Sequence, residues 1–275
     1  MHIGILTGGG DCPGMTAVIR AVTLALVHQH GARVSGIRRG FLGLLTREVL
    51  ALDVPMVAGI LAQGGTLLGT HNGCDPFHYF GASGTDVSGQ ALAYAAKLGL
   101  DALVAIGGDG TMAIAHKLSL MGLPVVGVPK TIDNDLCHAD RSFGFDSAVA
   151  VVADALGRLE TTARSHGRVM IAETMGRYAG WIALEGGMAG AADATLLGHV
   201  QRGGAPTRFD RVLATRFGWH AAELVQQGRF GRMVALQGDA VGSVELAKVA
   251  GCNRRVPADH ALLAVARGMG VSLGG

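Results

Sequence analysis

An α/β fold with parallel sheets and helices on both faces is predicted for this chain, and three observations predict it. Short apolar runs of strand length alternate with helical patterns along nearly the whole sequence, which is the mark of βαβ units. Several of these runs end in polar turns, TGGGDCPG, IGGDGT and PKTIDND among them, the first two rich in glycine, and sites in such sheets lie outside the carboxyl ends of the strands. Charged residues are 16% of the 275 against 49% apolar, a balance that builds cores and not a disordered chain.

Each element follows in order. HIGIL is the first strand and runs into TGGGDCPG. MTAVIRAVTLALVHQH is a helix, with Val18, Val22 and Leu26 four apart on one face. His28 and His30 fall in its last turn, where a helix favours positive charge. ARVSGI is a second strand. VPMVAGILAQ and SGQALAYAAKLG read as helices, the latter capped by Ser88. ALVAIGG is a strand leading into DGTMAIAHKLSLMG, a helix closed by Gly122. PVVGVP is the next strand, and FDSAVAVVADALGRLETTARSH the longest helix. RVMIAETMGR returns as a strand before a Gly- and Ala-rich helix through Trp181. FDRVLATRFGWHAAELVQQG is a helix and RMVAL the last strand. No low-complexity segment, linker or clear internal repeat interrupts this order.

Bulk properties narrow the function. A net charge of +2, with no basic stripe carrying aromatics, gives no electrostatic case for nucleic acid. The opening MHIGILTGGG has no basic n-region, and its apolar run is too short for a signal peptide or a membrane span. Cys12, Cys74, Cys137 and Cys252 are widely scattered without a CxxC pair, which fits reduced thiols in a cytoplasm. A soluble cytoplasmic protein is expected.

The polar turns carry the chemistry. In TGGGDCPG three successive glycines let the backbone approach an anion at a helix N-terminus; a plain tight turn would use the same residues. IGGDGT repeats the arrangement, with Asp109 able to hold Mg²⁺ while neighbouring amides take phosphate oxygens, or to serve only as an N-cap. Two such loops at strand ends favour a nucleotide or polyphosphate cradle. PKTIDND then offers what phosphoryl transfer needs: a base for a hydroxyl proton and a cation against developing charge. Asp133 and Asp135, two apart in an extended segment, point the same way, and Lys130 and Thr131 can contact the phosphoryl group. Arg168, Arg177 and Arg202, with His199 three before Arg202, are candidates for a sugar phosphate, although a surface ion pair is the commoner fate of one arginine. His71, Cys74 and His78 invite zinc, but no fourth ligand stands at a sensible spacing and Gly73 and Pro76 mark a loop.

Taken together, GILTGGGDCPGM, IGGDGT, PKTIDND, MGRYAGW and LGHVQRGG resemble the 6-phosphofructokinases in order and nearly in spacing, from about Ile3 to the ARGMGV stretch. The resemblance implies phosphoryl transfer to the 1-hydroxyl of fructose 6-phosphate with Mg²⁺. It makes Asp133 the general base, supported by Asp135 and Thr131, and Asp109 the magnesium ligand. Gly10, Gly108, Gly110 and Thr111 would cradle the phosphate donor; Met175, Gly176 and Arg177 would line the sugar pocket. His199 and Arg202, with Arg168 from a neighbouring subunit, would take the sugar phosphate. It also implies a homotetramer whose subunits have two Rossmann-like lobes: residues 1–136 plus about 203–254 for the donor, and 137–202 plus about 255–275 for the sugar phosphate. In this family Gly at the place of Gly110 goes with ATP, whereas Lys at the place of Lys130 goes with pyrophosphate. The absent side chain at Gly110 removes the obstruction to the rest of the nucleotide and favours ATP as donor; the alternatives are a pyrophosphate-dependent enzyme and a non-catalytic homologue whose sugar site has decayed.

The chain departs from that pattern in four places. Between LEGGMAGAADA and TLLGHVQRGG the family carries a strand, a helix and a further strand that this sequence lacks, so the second lobe is expected to be incomplete near residues 190–195. With that stretch go a sugar-contacting glutamate and an arginine, near whose place Asp193 stands. A truncated lobe would expose an apolar sheet edge; an omitted segment, which the smooth match on both sides favours, would instead separate consecutive Cα atoms within residues 186 to 197 by much more than about 3.8 Å. Asn72 replaces an arginine that meets the donor phosphates. Leu24 and Val54 stand where allosteric bacterial members have arginine, Arg20 alone matching, so effector control by ADP or phosphoenolpyruvate is not expected.

Overall fold

The first strand, β1 (His2–Thr7), is buried along its whole length, as its apolar run requires, and the main sheet grows outward from it. The computed structural model describes residues 1–189 and 194–271. After β1 come α1 (Met15–His30), β2 (Arg33–Ile37), α2 (Leu42–Thr46), β3 (Val49–Leu52), α3 (Val54–Val57), α4 (Ser88–Leu98), β4 (Ala102–Gly107), α5 (Asp109–Leu120), β5 (Val125–Pro129) and α6 (Phe145–His166). The chain continues through β6 (Ile171–Glu173), α7 (Trp181–Ala189), β7 (Ala194–Leu196), α8 (Arg208–Gln226), β8 (Arg232–Gln237), β9 (Ala240–Glu245), α9 (Leu246–Val249) and α10 (Ala261–Gly268).

Seven strands form one sheet in the order β3-β2-β1-β4-β5-β8-β9. The five central strands are parallel, while β3 and β9 are antiparallel edges. Side chains alternate between the two faces, as the pleat dictates. Ile3 and Ile5 of β1 and Val104 and Ile106 of β4 enter one core with α1 and α8. Leu6, Leu103 and Ala105 enter a second core with α4, α5 and α9. A second, two-stranded parallel sheet pairs β6 with β7.

Several expectations need correction. RMVAL is not the last strand: β8 turns at Gly238 (φ 59) and returns as β9, a half-buried strand of small residues whose pattern is weak. VPMVAGILAQ is helical only over Val54–Val57, since Gly59, Gly64 and Gly65 supply no helix propensity beyond it. Ser88 is the first residue of α4 and not its cap; Asp86 Oδ1 accepts its amide instead, at 2.8 Å. RVMIAETMGR keeps only three residues of strand. Two of the four cysteines are not free thiols: Cys137 and Cys252 are disulfide-bonded, with Cα atoms 5.8 Å apart. Sequence spacing hid this pair, because 115 residues separate partners that face each other beside an isolated antiparallel bridge, Leu136 to Asn253. Cys12 and Cys74 are buried and free.

The expected break near residues 190–195 and Asp193 fall largely outside the described residues. Among the described residues, Val169 just before β6 is 92% exposed and Ile171 in it 71%.

Candidate active site

β1, β4 and β5 are neighbours in the sheet, so the three polar turns that follow them meet at one carboxyl edge. They line a cavity of about 790 Å³. Its walls include Gly10, Gly108, Asp109, Gly110, Thr111, Lys130, Thr131, Asp133 and Asp135 from these turns, and Met175, Gly176, Arg177, His199 and Arg202 from the side of the smaller sheet. Arg168 is apart from them, exposed just beyond the C-terminal Gly167 of α6.

Gly8 and Gly107, at the starts of the first two turns, are required by the packing. A Cβ on Gly8 would lie 2.6 Å from Thr111 Oγ1, and one on Gly107 would lie 2.2 Å away, so the buried Thr111 is wedged against both strand ends. On the far side, a Cβ on Gly10 would meet Arg202 Nη1 at 2.7 Å. The space off Gly110 is open within 4 Å. Asp109 is the first helical residue of α5, whose N-cap is Gly108. Its carboxylate is therefore not a cap; it faces Arg177 Nη1 at 3.3 Å and accepts from Asn253 Nδ2 at 3.4 Å.

The acidic turn is more elaborate than an extended segment. Asn134 has φ 51, a left-handed conformation that costs energy unless its surroundings impose it. Here they do: Asn134 Nδ2 donates to Asp140 O at 3.2 Å and its Oδ1 accepts from Ser142 N at 3.0 Å. Thr131 Oγ1 accepts from Asp133 N at 3.0 Å, and Thr131 O accepts from Ser142 Oγ at 2.8 Å. The bend still leaves both carboxylates on the cavity wall. Asp133 is 8% exposed, and its Oδ1 has no hydrogen-bond partner. Burial, and then the neighbouring Asp135, raise its pKa. Burial also raises that of Asp135, against the opposing hydrogen bond of Thr131. Lys130 is fully enclosed beneath the first turn, where it donates to Gly10 O, and burial lowers its pKa.

Arg177 adopts φ 53 in the turn after β6, directly following Gly176 at φ 144. That turn is tied to the HVQR segment by Met175 N donating to Gln201 Oε1 at 2.7 Å, with Gln201 wholly buried. Arg202 Nη1 donates to Asp11 O at 3.2 Å. Gln201, Asn253 and Arg254 escaped the reading of the sequence. Gln201 lay in view between His199 and Arg202, but Asn253 and Arg254 carry no motif and arrive from the far end of the chain. His71, Cys74 and His78 do not converge: His71 stacks on Phe80 at 5.2 Å, and His78 Nδ1 lies 3.4 Å from Asp75. No three His, Cys, Asp or Glu side chains among the described residues form a metal cluster. A Mg²⁺ ion needs no such cage, because one or two carboxylates and substrate phosphates suffice, and the hard oxygens of Asp109 fit that role.

Comparison with known proteins agrees with this geometry. The phosphofructokinase family model matches in two pieces, residues 2–197 and 193–225, dividing where the sequence lacks the expected stretch. The chain is similar to ATP-dependent 6-phosphofructokinase 3 of Bacteroides thetaiotaomicron, 41% identical over 337 aligned positions covering 100% of each; this chain has 275 residues. It is also similar to pyrophosphate–fructose 6-phosphate 1-phosphotransferase of Amycolatopsis methanolica, 39% identical, covering 94% of this chain and 97% of that one. In fold it resembles the pyrophosphate-dependent phosphofructokinase structure from Nitrosospira multiformis, with a TM-score of 0.84 at 18% identity, over 94% of this chain and 86% of that one. The chain belongs to the phosphofructokinase family.

Proposed function

We propose that this phosphofructokinase transfers the terminal phosphoryl group of ATP to the 1-hydroxyl of fructose 6-phosphate, giving ADP and fructose 1,6-bisphosphate as in glycolysis. The observation that carries the reading is Asp133: a nearly buried carboxylate with an unpartnered oxygen on the wall shared by two glycine-rich anion loops. Asp133 accepts the hydroxyl proton as the sugar oxygen forms its bond to phosphorus and the bond to the ADP oxygen breaks. Its raised pKa makes it a stronger base than an ordinary carboxylate. Asp135 and Thr131 hold it in place. Gly10, Gly108, Gly110 and Thr111 present the donor cradle, while Lys130 and Arg177 supply positive charge beside the transferring group. Magnesium, held by Asp109 with the donor phosphates, would offset charge on the phosphate oxygens.

Met175 and Gly176 line the sugar side, and His199 and Arg202 take the sugar 6-phosphate. Arg168 is exposed and does not line its own cavity, which supports its serving a neighbouring subunit in a homotetramer. In this reading residues 1–136 and about 203–254 form the donor lobe, and 137–202 and about 255–275 the sugar lobe, of an enzyme whose glycolytic substrates support a cytoplasmic location, while its paired Cys137 and Cys252 do not.

A pyrophosphate donor is the second reading, favoured by the enclosed Lys130. The open space at Gly110 supports ATP instead, because it leaves room beyond the two phosphates that pyrophosphate would fill. Incubating the purified chain with fructose 6-phosphate, Mg²⁺ and either donor, and following product by ³¹P NMR, separates the two. Fructose 1,6-bisphosphate formed faster from ATP is the expected result. Product from pyrophosphate alone would replace the donor, and product from neither would remove the function.

A further inference from the structure

The two acids of the cavity sit on a turn that its own side chains hold only in part. Asn134 at φ 51 and His138 at φ 63 bend it twice, and its own side chains reach the carbonyls of Thr131 and Asp140 but not those of Asn134 and Asp135. Those carbonyls are met by one residue from the end of the chain. Arg254 Nη2 donates to Asp140 O at 2.8 Å, Arg254 Nε approaches Asn134 O at 3.4 Å, and Arg254 N donates to Asp135 O at 2.7 Å. The same segment is fastened alongside the turn by the Leu136–Asn253 bridge and the Cys137–Cys252 disulfide. Asn253 meanwhile reaches Asp109.

Arg254 is itself fixed. Its guanidinium lies 4.4 Å from the centroid of the Trp181 ring, and the indole N–H donates to Arg254 O at 3.3 Å. Trp181 in turn packs edge-on against His260, 5.0 Å between ring centroids. A planar fork that spans two carbonyls while stacking on an aromatic face is a geometry that lysine cannot reproduce.

We propose that Arg254 is a positioning residue for phosphoryl transfer, holding the Asp133–Asp135 turn by its backbone carbonyls so that both carboxylates face the cavity. The inference rests on the function proposed above. Arg254 contacts backbone carbonyls and an indole, so it acts through the turn and not on a substrate. A displacement of an acid by about 1 Å costs on the order of 10²-fold in rate, and that loss belongs in kcat.

The test compares Arg254→Ala and Arg254→Lys with the unaltered chain, measuring kcat and KM for both substrates, nucleotide affinity and the thermal midpoint. The expected result is a kcat lower by about 100-fold in R254A and about tenfold in R254K, with each KM within about threefold of the original. If R254A does not fold, R254K decides alone, since it keeps the charge and one donor. Folded variants with kcat within about twofold of the original would overturn the inference, leaving Arg254 a stabilising residue only. A loss carried by KM for a phosphorylated substrate would also overturn it, making Arg254 a binding residue. Asp133→Ser in the same assay keeps the two ideas apart: normal turnover there removes the base assignment, whereas an inactive D133S beside a normal R254A removes only the clamp.

Discussion

Gly110 isolates chemistry from packing at the scale of one residue. A Cβ there meets nothing within 4 Å, and the position is the second residue of α5, where a carboxylate suits the helix dipole. Gly110→Asp should therefore leave stability within about 0.5 kcal/mol. Its charge, facing the donor phosphates, should lower turnover with ATP by at least about tenfold. Urea unfolding and an ATP-coupled assay check the two halves. The neighbouring glycines differ, since Gly8 and Gly107 are closed by Thr111. The glycine-rich turns were legible as anion loops because glycine and acid fall at strand ends. What pairs with Asp109 was not, because Arg177 and Asn253 come from elements distant in sequence.

Among elements, α6 and α8 are joined by a buried carboxylate. Asp210, in the first turn of α8, accepts from Ser147 N at 2.8 Å and Ser147 Oγ at 2.6 Å near the start of α6, and its Oδ1 has no partner. Burial raises its pKa from 3.8 to about 6. The folded chain therefore takes up this proton as the pH falls through about 6, while the unfolded chain waits until about 3.8, so the group adds stability on acidification across that window. Relative to Asp210→Asn, the native chain should gain about 2–3 kcal/mol between pH 7 and pH 4. Parallel pH slopes in urea unfolding would contradict this. The long helices were legible from period, as Val18, Val22 and Leu26 of α1 attest, and α5 ends close to the expected Gly122. The short edge strands were not, because VLAL and AVGSVE are only half-buried and carry no strong alternation.

For the whole molecule, the carboxyl edge of one sheet and the turn after β6 converge on one cavity, and a segment from the far end of the chain borders a smaller one beside it. Parallel order in the sheet was legible from alternating strands and helices. The Cys137–Cys252 link was not, since only the folded path brings residues 115 apart into register. Disulfides typically contribute about 2–4 kcal/mol, and loop entropy alone puts a loop of that length at about 5 kcal/mol. The double variant Cys137→Ser/Cys252→Ser should unfold at correspondingly lower urea than the oxidised native chain, and a shared midpoint would argue against the link. The most direct measurement on the whole enzyme is turnover of Asp133→Ser with ATP and fructose 6-phosphate beside the unaltered chain, together with nucleotide affinity. If Asp133 is the base, kcat falls by about 10²–10⁴-fold while nucleotide binding persists; unchanged turnover would contradict the assignment at its centre.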